Sequence, residues 1–200
     1  GVPVAQISQY VGAWVTVNLA SALINQEDPY QVVKHEMTHA LTVEAWNPHL
    51  VGGGPAGPNG TLVSGVSDWA TEGFARWSET AESPSARQAV DDDVARGVSA
   101  GRFAGKLPSD TKFYDPNADT MAFNYDLAAT IFQFIAEKWG TANAVAVYAD
   151  TVASGDMGMT KDAYAPGTDL EQALDKENLV PSSFTDPFWG MWQSYVQQLG

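Results

Sequence analysis

No cysteine occurs among the 200 residues, so neither a disulfide framework nor a thiolate metal site is available to this chain. Basic residues are scarce: 10 Lys and Arg stand against 24 Asp and Glu, a formal net charge of −14. So acidic a chain disfavours nucleic acid and anionic membrane surfaces as partners. Lys34 is the one basic residue before Arg76, which favours neutral or cationic ligands over acidic ones in that region. Long apolar runs are also missing, since none approaches the ~20 residues of a membrane-spanning helix. No targeting segment is visible, and the chain opens at Gly1, which reads as a mature domain excised from a longer precursor. Histidine is scarce too, with three in all.

Two of those three lie four residues apart, in His35-Glu36-Met37-Thr38-His39. The surrounding residues read as a helix. Asp28 suits an N-cap, Pro29 the first helical position and Gln31 the third, as in a capping box. Val33, Met37, Ala40 and Leu41 form an apolar stripe at helical spacing, expected to face a core with the histidines beside it. Positions i and i+4 share one helix face, so both imidazoles can take corners of one zinc tetrahedron. Glu36 then points at the open corner, where a zinc-polarised water is the nucleophile of a metalloprotease. The same pentapeptide also fits two surface histidines flanking a solvated glutamate.

Catalytic zinc needs a third protein ligand. His49 is one candidate, but Pro48 ends any helix before it, and the six-residue offset that would suit a third histidine is occupied by Ala45. A second aromatic helix opens at Ser67 or Asp68 and runs through Trp69-Ala70-Thr71-Glu72-Gly73-Phe74-Ala75-Arg76-Trp77. It offers two carboxylates, Asp68 and Glu72.

His-Glu-x-x-His followed by Trp-x-x-Glu-Gly-x-Ala resembles the gluzincin metallopeptidases, in particular the peptidase MA-like group related to aminopeptidase N. The resemblance covers roughly residues 12 to 199. It implies one catalytic zinc held by His35, His39 and Glu72, with Glu36 as general base. It further implies a tyrosine near the start of a later helix that donates to the oxyanion; Tyr125 matches this position, and Tyr114 is a nearby competitor. The aminopeptidases carry a Gly-Ala-Met-Glu-Asn motif whose glutamate holds the substrate amine. Here Gly12-Ala13-Trp14 begins similarly and lacks that glutamate, which points to an endopeptidase acting on peptides or proteins. A catalytically inactive binding module of the same fold, or a zinc hydrolase with a non-peptide substrate, stays open. Acidity and the resemblance together suggest an extracytoplasmic, secreted or cell-surface setting.

The expected fold class is α+β but mainly helical: zincin-like, with a small or reduced N-terminal β-sheet and a C-terminal helical part. One catalytic domain spans 1–200, with a strand and the two zinc-bearing helices in 1–80 and the helical part in 81–200. The strand is read over Ala13–Leu19, placed to pair with substrate backbone. Residues 51–65 are too rich in glycine and proline for regular structure. A helix from Ser83-Pro84 bears Asp91-Asp92-Asp93, a solvated run. An amphipathic helix over 123–140 ends at Gly140, and another runs from Thr141 to about Ala153. A loop around Gly155–Gly158 leads to a capping box at Thr168–Glu171. The last helix carries Phe188, Trp189, Trp192, Tyr195 and Val196 at core spacing. Nothing in the residue pattern specifies an oligomeric state.

Overall fold

The computed structural model describes residues 29–46, 67–154, 169–180 and 187–200. The strand expected over 13–19, the Asp28 cap, His49, the connection 51–65 and the loop and cap around 155–168 lie outside the described residues. Those that are described form helices and no strand: α1 (Pro29–Trp46), α2 (Asp68–Thr80), α3 (Pro84–Ser99), α4 (Asp110–Phe113), α5 (Ala118–Trp139), α6 (Thr141–Ser154), α7 (Asp169–Lys176) and α8 (Pro187–Leu199). The mainly helical class is therefore as the sequence implies. None of these helices is long and apolar enough to cross a membrane.

Helix α5 is the axis of the molecule. It begins at Ala118, five residues earlier than its apolar pattern indicates, because the Asn117 side chain accepts from the Thr120 N–H and caps it there. From Asp126 to Ile135 every residue is buried, so the helix is apolar almost all round. Helices α2, α3, α6 and α8 surround it. Gly140, with φ +98°, closes α5 and turns the chain directly into α6.

Small residues set how closely α2 approaches α5. A Cβ on Gly73 would lie 2.8 Å from the backbone of Ala128, so only glycine fits there. Around that contact Phe74 stacks on Tyr148 with centroids 3.9 Å apart and meets Phe132 edge-on. The Trp192 indole, fully buried, donates to Thr130 Oγ1 at 2.9 Å. One buried cluster thus runs from Trp69 to Val196.

Helix α1 lies against α2 and reaches α6. Its expected orientation needs correcting. Met37 and Leu41 are 47% and 64% exposed, so these two residues of the apolar stripe do not face the described core. The opposite face, with His35, Thr38 and His39, turns inward, because polar partners on α2 await it: Thr38 Oγ1 lies 2.8 Å from Ser78 Oγ.

Candidate metal centre

The first turns of α2 project Glu72 towards α1, where His35 and His39 stand one turn apart. His35 Nε2 lies 3.1 Å from Glu72 Oε2, and His39 Nε2 lies 3.2 Å from the same oxygen. The two imidazole Nε2 atoms are themselves 3.1 Å apart. Three ligand atoms form a nearly equilateral triangle, a group that could hold a metal ion. Its edges are close to the ~3.4 Å between corners of a tetrahedron with zinc bonds of about 2.05 Å. The donor set, two imidazoles and one carboxylate, is that of a catalytic zinc site with a free corner.

The surroundings shape the charge of this triangle. Burial works against ionised Glu72, but hydrogen bonds from His35, His39 and Tyr114 hold its carboxyl well below the usual range. Burial likewise disfavours the imidazolium of His35, yet hydrogen bonds and charges from Glu72 and Glu79 outweigh it and push His35 up to about 9. Without a metal, the triangle is an ion pair. A metal would have to displace that proton, so affinity should fall in acid.

His49 lies outside the described residues, whereas the other candidate site residues each have a place. Glu36 and Tyr125 line, with His35, a cavity of about 640 Å³ between α1, α2, α3 and α5. The Tyr125 ring stacks on His35 at 6.1 Å, although the residue sits two turns inside α5 and not at its start. The Tyr114 hydroxyl donates to Glu72 Oε1 at 2.8 Å, the oxygen that the histidines leave free. It is brought there because Phe113 is fully buried and Asn124 of α5 donates to the Phe113 carbonyl. Burial and the charge of Glu72 raise both phenols well above their ordinary pKa, so both remain donors. Asp68 stays out of the triangle and donates its N–H to Asp110 Oδ1 at 3.1 Å. Burial, Asp110 and Glu72 push its carboxyl up to about 7.

Three residues were missed. Glu79 Oε2 lies 3.2 Å from His35 Nδ1, on the far side of the ring from Glu72. Arg76 donates from Nη1 to Glu79 Oε1 and from Nε to Asp126 Oδ1, the latter at 2.8 Å. Burial disfavours the guanidinium, but the charges of Asp126 and Glu79 hold it protonated. A signal for them existed. Glu72, Arg76 and Glu79 recur at i, i+4 and i+7, on one helix face. Asp126 is the one acid in the apolar run from Phe123 to Ala136, and buried charges need partners.

No protein-family model, curated protein or solved structure significantly matches this chain. Its chemistry is therefore read from the site itself.

Proposed function

We propose that this chain is a zincin-like zinc peptidase of gluzincin type, holding one catalytic ion through His35, His39 and Glu72. The observation that carries the reading is the triangle of His35 Nε2, His39 Nε2 and Glu72 Oε2, with sides of 3.1–3.2 Å. Bound there, zinc would act as a Lewis acid and bring the pKa of water towards 7. Glu36 is the general base, taking a proton from the attacking water and delivering it to the leaving amine. Tyr125, on the cavity wall beside His35, donates a hydrogen bond to the oxyanion developing on the substrate carbonyl. Tyr114 donates to Glu72 Oε1, and Tyr125 too is hydrogen-bonded to Glu72 and Tyr114, so Tyr114 is the competing donor.

Substrate preference follows from the cavity. Its cation Arg76 is committed to Glu79 and Asp126, while Glu36 adds a further negative charge. Peptides with neutral or basic side chains beside the scissile bond suit that field better than acidic ones. Cleavage within the chain is favoured over trimming of the amino end, because no glutamate follows Gly12-Ala13-Trp14 to hold a free amine.

The test is a mixed peptide library incubated with the zinc-loaded protein and with Glu36→Gln, products being read by mass spectrometry. New internal termini from the unmutated protein alone support the endopeptidase. Removal of single residues from the amino end would replace it with an exopeptidase. Zinc binding without cleavage of any peptide would reject the peptidase in favour of a binding module or a hydrolase of non-peptide substrates. Failure to bind zinc would reject the metal reading itself.

A further inference from the structure

We propose that Glu79 is a positioning residue for the metal centre: it fixes the tautomer of His35, and Arg76 and Asp126 hold it in place. The proposal rests on His35 being a metal ligand. An imidazole that offers Nε2 to a metal must carry its proton on Nδ1, and that N–H needs an acceptor. Glu79 Oε2 supplies one at 3.2 Å. Its other oxygen is taken by Arg76 Nη1, so each carboxylate oxygen has its own partner and the group cannot turn freely. Arg76 is oriented in turn by the bond from Nε to Asp126 Oδ1 at 2.8 Å. The result is a continuous line from α5 through α2 to α1: Asp126, Arg76, Glu79, His35.

Burial argues that the line has a purpose beyond stability. The Glu79 and Asp126 side chains are 7% and 3% exposed. Interior ion pairs rarely stabilise more than apolar side chains of similar size would. What these charges reach, and apolar residues could not, is His35 Nδ1. Helix α2 also supplies Glu72, two turns before Glu79, so one rigid element grips both nitrogens of the ring, Nε2 at 3.1 Å and Nδ1 at 3.2 Å. Glu79 is excluded as a ligand of the same ion, because it faces the nitrogen that points away from the triangle. His39 shows no such carboxylate at its Nδ1 among the described residues, so the effect belongs to His35.

Two readouts test this, and they separate its failure from failure of the metal reading. Zinc affinity is measured by chelator competition for the unmutated protein, Glu79→Ala and Glu79→Gln. The His35 Nδ1–H resonance is followed by NMR in the same three proteins without metal. Glu79→Ala should bind zinc 10- to 100-fold more weakly, the usual loss when such a partner is removed. Glu79→Gln should recover much of that loss, since its amide oxygen still accepts the proton. Glu79→Gln also leaves Arg76 and Asp126 as a neutral pair, so this variant should fold even where Glu79→Ala does not. Its Nδ1–H resonance should move upfield, the neutral acceptor being weaker. Unchanged zinc affinity in Glu79→Ala, or an unshifted resonance in Glu79→Gln, overturns the proposal. Absence of zinc binding by the unmutated protein removes the metal reading and this role with it; the resonance then still shows whether Glu79 holds His35.

Discussion

One face of α2 carries Glu72, Arg76 and Glu79; the other carries Ala70, Phe74 and Trp77. The first meets two histidines of α1 and a carboxylate of α5 through directed bonds of about 3 Å. The second packs against Phe132 and Tyr148 by area and shape. Each face fails differently. On the polar face the loss of one partner leaves another charge buried and unpaired. On the aromatic face the loss of one ring leaves a void whose cost depends on how far its neighbours can relax. Stability should therefore respond to volume on one side of this helix, and chemistry to single atoms on the other.

The largest expected effect is chemical and leaves the aromatic face untouched. Glu36→Gln should lower turnover about 10²- to 10⁴-fold while zinc content stays at one per chain. Full activity in that variant would remove Glu36 from the mechanism. The converse variant lies in the core. Trp192→Ala should cost about 3–5 kcal/mol in urea unfolding, since it empties a fully buried site and removes the indole donor to Thr130 Oγ1. If its folded fraction still binds zinc with unaltered affinity, the packing of α8 on α5 is energetically separable from the polar face of α2.

Two tyrosines sharpen the polar side. Tyr125→Phe should slow peptide cleavage by roughly 10²- to 10³-fold, or about 2.7–4 kcal/mol, with zinc affinity little changed. Tyr114→Phe should do the reverse, weakening zinc through Glu72 and sparing the rate of the loaded enzyme. Equal rates for Tyr125→Phe and the unmutated protein would end its assignment as donor.

Gly73→Ala tests the place where both faces depend on one spacing. Its methyl would press on the Ala128 backbone, at a cost of about 1–3 kcal/mol in thermal or urea unfolding. The smallest effect is a pH dependence. Asp68 has its folded pKa raised from 3.8 to about 7, so its protonated form is the one the fold prefers. The associated stability is fully present below pH 3.8 and is lost as pH rises through about 7. Metal-free Asp68→Asn should therefore gain stability over the unmutated protein at pH 8 and gain nothing at pH 3.5. A constant difference across that window would show that Asp68 is not strained by Asp110 and Glu72.

Much of the site was legible because helical spacing is rigid. His35 and His39 at i and i+4 must share a face, whereas Glu72 was preferred to Asp68 through the resemblance of its Glu-Gly-x-Ala register. The orientation of α1 was legible only in part: its histidines face inward as expected, but Met37 and Leu41 do not. An apolar stripe predicts the inward face only when burial dominates, and here imidazoles meeting carboxylates decided it, leaving Met37 and Leu41 outward. Tyr125 shows the same limit in another form: its position along the chain was read correctly, but the start of its helix was set by a single side-chain cap at Asn117.

By itself the sequence determined the mainly helical class, the acidic character, the absence of thiolate chemistry and the pairing of two histidines with one glutamate between them. These are local or compositional properties, fixed by counting residues and by the period of a helix. Tertiary structure alone decided that Glu72 closes the triangle, that Tyr114 takes its spare oxygen, and that Asp126, Arg76 and Glu79 run in a line to His35. Apart from Arg76 and Glu79, three residues apart on α2, these partners are separated by 33 to 50 residues, beyond any periodic pattern. Only the packing of α2 between α1 and α5 brings them within bonding distance.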